Sequence, residues 1–145
     1  MSRLAQARGK GRAGLDDLFP DQTPMTVAPW PRAGRRRGET NPMPHIEEAL
    51  RNGAQPTEVD PTDPRLHSSQ PSITRSAVSH YLDSSDLYAD QHKAGNRTPV
   101  VWRTRNGAGE ETMVLMSGHH RATASALAGR QFQALVVNDP AMSPA

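Results

Sequence analysis

The sequence predicts a small α/β (α+β) domain behind an N-terminal arm that lacks regular structure. Three observations carry this. Residues 99–138 read as strand, turn, strand, glycine, helix, glycine, strand. Residues 1–44 contain Pro20, Pro24, Pro29, Pro31, Pro42 and Pro44 and no sustained apolar period. A chain of 145 residues that is 34% hydrophobic and 4% aromatic supports one modest aliphatic core and leaves no room for a second domain.

The elements follow in order. Residues 1–44 are expected to be a disordered Pro/Arg-rich tail. Gly14 to Phe19 reads as solvated linker with incidental apolar residues; the alternative is a turn that docks Leu15, Leu18 and Phe19 on a protein partner. Residues 45–56 hold a short helix, Ile46 to Arg51, with acidic residues early, a stop at Asn52-Gly53, and a linker. Pro56, Pro61, Pro64 and Pro71 force an extended path anchored by Val59 and Leu66. A helix from Ser72 or Thr74 to Leu82 places Ala77, Val78, Tyr81 and Leu82 on one face. Ser84-Ser85-Asp86 starts another short helix running through His92.

The C-terminal third is the most legible. Pro99 to Thr104 is β-branched and reads as a strand, Arg105 to Gly109 has hairpin-turn chemistry, and Thr112 to Met116 is the returning strand. Ser117-Gly118 breaks it. His119 to Ala128 is alanine-rich and helical, Gly129 ends it, and Phe132 to Val137 is a last strand. The domain proper is expected to span 57–138, with 139–145 disordered.

Composition removes several function classes. Without cysteine there are no disulfides, thiolate metal sites or thiol chemistry. No apolar run approaches a membrane span, and Met1 to Arg8 lacks a signal-peptide core, so a cytoplasmic protein with no membrane partner is expected. The net charge of +2 is uneven: residues 1–45 carry eight basic and four acidic groups, and residues 46–145 carry nine and eleven. The Arg35-Arg36-Arg37 cluster suits non-specific, salt-sensitive contact with nucleic acid; a solubilising tail explains it equally well.

Chemistry concentrates in Ser117-Gly118-His119-His120-Arg121. A glycine between strand and helix lets the backbone approach a ligand, and the first helical turn presents unpaired amides with partial positive charge, which suits phosphate. Arg121 offers a planar fork, and His119 and His120 offer donors that exchange protons near neutral pH. A second reading stays open at this point. His119 can cap the helix, His120 can pack on the sheet, and Arg121 can pair with Glu110 or Glu111. No metal site is expected, because neighbouring helical side chains diverge by about 100°.

The run Ser117 to Ala124, with Leu127-Ala128-Gly129-Arg130 and the strand Ala134 to Val137, resembles the nucleotide-binding core of the ParB N-terminal and sulfiredoxin-like fold. A weaker match joins Gln70-Pro71 and Arg75 to the entry of ParB-like domains. Together these segments cover about residues 57–138. The resemblance implies a mixed sheet and phosphate binding by Ser117, Gly118, His120 and Arg121. It also implies a secondary pocket at Gln70 and Arg75, and a nucleoside triphosphate with Mg as the cofactor class.

Sulfiredoxins carry a cysteine after the motif glycine, and partition proteins and related kinases a glutamate. His119 occupies that position here, which excludes sulfiredoxin chemistry. Partition proteins continue into further domains, whereas this sequence ends at Ala145, so a stand-alone ParB-like domain is expected. Such domains are often labelled ParB-like nucleases and are frequent in actinobacteria and their phages, where the host cytoplasm would be the location. If chemistry occurs, phosphoryl transfer or phosphodiester hydrolysis is its class, with His119 or His120 as acid or base. The alternative is a non-catalytic interaction protein or phage accessory component that keeps the fold without turnover.

Overall fold

The structure, a computed structural model, describes residues 2–34, 38–83 and 98–142. The Arg35–Arg37 cluster and the helix expected from Ser84 to His92 lie outside the described residues. Five strands form a mixed sheet in the order β2 (Thr57–Val59), β7 (Phe132–Asn138), β5 (Val100–Arg105), β6 (Glu111–Ser117) and β3 (Leu66–Ser68). β2 pairs antiparallel with β7 and β5 antiparallel with β6, while β7 with β5 and β6 with β3 are parallel. The extended stretch 54–71 thus contributes both edge strands, and its anchors Val59 and Leu66 are buried as expected.

Strand alternation divides the core between the two faces of the sheet. On one face Leu66, Val101, Met113, Leu115, Phe132 and Ala134 pack against α4 (Arg75–Asp83) and α5 (His119–Leu127). On the other, Val100, Trp102, Leu135 and Val137 pack against Ile46 of α3 (Met43–Arg51). Val100 and Trp102, two residues apart, share this face, and the pairing of β5 with β6 slips by one residue between Val100 and Val101. α3 begins earlier than Ile46 because Pro44 sits in its first turn, where a missing N–H costs nothing.

The largest correction concerns residues 1–44, which were expected to be a disordered tail. Residues 2–34 are part of the domain. α1 (Arg3–Ala7) and α2 (Gly11–Leu18) bury Leu4, Ala7, Leu15, Leu18 and Phe19 in the same core as α4 and α5. The packing is close: a Cβ on Gly14 would lie 2.7 Å from Leu127 and 2.8 Å from the Ala7 carbonyl. The amide of Gly9 also donates to Ala126 O at 2.9 Å. Helices of five and eight residues are unstable alone, so their order comes from these contacts.

The prolines serve this arrangement as acceptors. Carbonyls of Pro24, Pro31 and Pro71 receive the amides of Arg75, Ser68 and Ala28 at 2.9, 2.7 and 3.0 Å. Between Pro24 and Pro29, β1 (Met25–Val27) pairs antiparallel with β4 (Ser72–Thr74). A parallel bridge from Arg32 to Ser68 then covers the outer edge of β3.

The basic residues of the N-terminal segment tie it to the domain. Arg3 donates to the carbonyls of Asp17 and Leu18 at the end of α2. Arg8 reaches Asp60 and Thr62, Arg12 reaches Asp83 and Ser79, and Asp16 of α2 receives Arg75 at 2.6 Å. A second boundary also moves. Residues 139–142, expected to be disordered, are ordered around Asp139, which is 1% exposed and accepts from Thr104 Oγ1 at 2.7 Å and Ala141 N at 2.9 Å. Residues 143–145 lie outside the described residues.

Deleting residues 1–24 is therefore expected to abolish cooperative unfolding, as read by circular dichroism during heating. Phe19→Ala alone is expected to cost about 3–5 kcal/mol in a denaturant titration, the range for emptying a buried aromatic position. A truncated chain that melts like the full one would show that this segment only rests on the domain.

Candidate functional site

The strand-to-helix junction lies where the sequence places it. Ser117 ends β6 opposite Val100, Gly118 is left-handed (φ 85°, ψ 23°), and α5 begins at His119 with no side-chain cap. The positive φ is one reason for glycine. The second is Pro99: a Cβ on Gly118 would lie 2.5 Å from the Pro99 Cβ and 2.6 Å from its Cγ. The close approach that this glycine permits is made by a proline ring of the same chain.

The three residues after Gly118 turn to three different neighbours. His119 is 2% exposed and meets the Trp30 ring edge-on, with centroids 5.9 Å apart. It bonds the Leu115 backbone, and its Nε2 is buried without a partner. Burial, with the nearby His120 and Arg32 acting in the same direction, pushes its pKa down to about 4. A ring so placed is neutral at pH 7 and too weak a base to take a proton efficiently there.

His120 faces the junction of β4 and α4. Its Nε2 accepts the Thr74 backbone N–H at 3.1 Å and lies 3.4 Å from Thr74 Oγ1. Accepting at Nε2 assigns the proton of the neutral ring to Nδ1, and burial lowers the pKa. Arg121 is 3% exposed, with its guanidinium carbon 5.0 Å above the Tyr81 ring of α4. Thr123 and Ser125 return their hydroxyls to the carbonyls of His119 and Arg121 at 2.8 and 2.9 Å, which lets a polar helix stay buried.

Gln70 and Arg75, the expected secondary pocket, also point to local partners. Gln70 Nε2 donates to Ser72 O at 2.9 Å, and Arg75 pairs with Asp16 of α2. The carboxylates considered for Arg121 are engaged elsewhere. Glu111 pairs with Arg103 and Arg65, which hold its carboxyl below the usual range, and Glu110 accepts from Asn106 Nδ2 at 3.2 Å. Among the described residues no group of three or more histidines and carboxylates is placed to hold a metal ion. No helix among them is long and apolar enough to cross a membrane.

Sequence reasoning missed the residues that hold the junction: Pro99, Trp30, Thr74 and Tyr81. Tyr81 alone carried a signal, the spacing that set it on the inner face of α4. The others come from distant segments, and no local pattern announces them. Comparison with family models, with curated proteins and with solved structures gives no significant match.

Two measurements follow. For His119 the folded pKa lies below the unfolded value of about 6.5, so the unfolded chain binds the proton first and stability falls as pH drops from there toward 4. The denaturation midpoint is expected to decline between pH 6.5 and 5, above most carboxylate titration, and His119→Gln should flatten that slope. Separately, Gly118→Ala is expected to lose about 1–2 kcal/mol from the left-handed backbone alone, and more from displacing Pro99. Gly129→Ala is the control: φ is +73° there and nothing lies closer than 3.5 Å, so only the backbone part should appear.

Proposed function

We propose that this domain binds the phosphate group of a nucleotide at the N-terminus of α5, and that its two histidines serve the fold and not turnover. The observation that carries this reading is the start of α5. It leaves β6 through a left-handed glycine, no side chain caps it, and Arg121 stands buried in its first turn. Backbone amides and a guanidinium are the two groups that hold phosphate without proton transfer.

The histidines support binding without acid–base chemistry. His119 is packed on Trp30 with its pKa depressed to about 4, and the free-standing proton exchange expected of His120 is used up by the Thr74 amide. Stacking on Tyr81 limits the rotamers of Arg121, so little side-chain entropy is lost when an anion arrives. The resemblance to ParB-like nucleotide-binding domains points to the same ligand class. It remains part of the proposal, as does nucleic acid as the larger molecule bearing the phosphate.

The test is calorimetric titration and thermal shift with nucleoside mono-, di- and triphosphates, with and without Mg²⁺. A nucleotide at about 100 times its Kd is expected to stabilise the fold by about 2.7 kcal/mol. Arg121→Lys keeps the charge and removes the fork, and is expected to weaken binding by roughly one to two decades. Absence of any shift, or unchanged affinity in folded Arg121→Lys, would refute the reading. Release of inorganic phosphate by the wild type would reinstate a catalytic role.

A further inference from the structure

The sequence contains two Asn-Gly pairs, Asn52-Gly53 and Asn106-Gly107. Such a pair is labile in water, because glycine has no side chain to hinder its own backbone nitrogen from attacking the amide carbon of the asparagine before it. In an unfolded chain the two pairs react alike, so a difference between them in the native protein is set by structure. The fold uses both as turns and constrains them differently.

Asn106 is half-buried and held at both ends of its side chain. Its Oδ1 accepts the backbone N–H groups of Ala108 at 2.9 Å and Glu110 at 3.0 Å, and its Nδ2 donates to Glu110 Oε1 at 3.2 Å. Its backbone is closed as well: its N–H donates to Glu110 O at 2.9 Å and its carbonyl accepts the Gly109 N–H at 3.0 Å. Swinging Cγ onto the Gly107 nitrogen breaks the side-chain bonds together.

Asn52 is exposed at the C-terminal end of α3, and its side-chain amide bonds no other residue among the described ones. The bonds that must open are those that end the helix, Gly53 N–H to Leu50 O at 3.2 Å and Ala54 N–H to Ala49 O at 3.0 Å, with Gly53 left-handed at φ 69°. Helix ends open locally at lower cost than a turn pinned by several side-chain bonds.

We propose that Asn52 is a site of spontaneous deamidation and isomerisation, and that the hairpin protects Asn106 from the same reaction. The Gly53 nitrogen gives its proton to hydroxide and bonds to Asn52 Cγ. The Cγ–Nδ2 bond breaks, ammonia leaves with a proton taken from water, and a succinimide ring closes. Water then opens the ring: at Cγ it gives aspartate, and at the main-chain carbonyl it gives isoaspartate, whose backbone is longer by one methylene. One water is consumed and one ammonia released, with no change in oxidation state. Either product places a carboxylate at the end of α3 where the helix dipole is already negative, and isoaspartate also breaks the register of the two closing bonds. Ala49, which accepts one of them, packs against Val100, Trp102, Leu135 and Val137, so the modification loosens the end of the helix on this face of the sheet. The reaction does not depend on nucleotide binding at α5.

The test incubates the full chain in mildly alkaline buffer, folded and in concentrated urea, and follows both asparagines by tryptic mapping and mass spectrometry. Cleavage after Arg51 and Arg105 puts them in separate peptides. In the folded protein Asn52 is expected to convert at least ten times faster than Asn106, and in urea the two rates should become alike. Conversion should also speed hydrogen exchange at the Ala54 amide. The proposal is overturned if Asn106 converts as fast as Asn52 in the folded chain, if Asn52 stays intact there while urea converts it, or if the preference persists in urea. An Ala54 amide as protected after conversion as before would overturn the effect on α3.

Discussion

Everything in this fold depends on covering α5. Its residues Arg121 to Leu127 are all buried, although after Arg121 they are only alanine, threonine, serine and a single leucine. Small side chains contribute little apolar area each, so burial must come from close approach on every side. The sheet supplies one side and α4 another, and α1 and α2 supply the rest. Gly14 is a point of close fit, where any side chain would meet Leu127 and the Ala7 carbonyl. This explains why a segment rich in glycine and arginine is ordered: its few apolar residues are those that seal the helix.

The same constraint decides the character of the Ser117-Gly118-His119-His120-Arg121 run. The side chains of a helix packed on several sides turn inward, and each polar one in its first turn finds a partner there. Trp30, Thr74 and Tyr81 are those partners, one each for His119, His120 and Arg121. Charge follows the pattern too. Arg8, Arg12 and Arg75 are matched across the joint by Asp60, Asp83 and Asp16, exposed pairs that set the orientation of α1 and α2 more than they add to stability.

The two faces of the sheet therefore have different roles. One is closed by four helices and contains the junction proposed to hold phosphate. The other is half-covered by α3, beside which a cleft is floored by Trp102, Val114 and Met116. Period-two alternation in β5 and β6 makes this division, since Val101, Met113 and Leu115 go one way and Trp102, Val114 and Met116 the other.

By itself the sequence determined the elements whose signals are local: the hairpin of β5 and β6, the glycine that starts α5, the strand β7, and α4 with Val78 inside. Each rests on propensity, turn chemistry or periodicity within a dozen residues. It also placed Val59 and Leu66 as anchors of an otherwise irregular stretch. The N-terminal helices were not legible, because each is too short to show a period and too weak to form without its partners. Nor were the surroundings of His119, His120 and Arg121, since Trp30, Thr74 and Tyr81 lie 40 or more residues away and meet them only when the chain is folded. Local chemistry writes strands, turns and caps into adjacent residues; burial is a property of the whole packing, and it alone decided which side chains of the motif face inward.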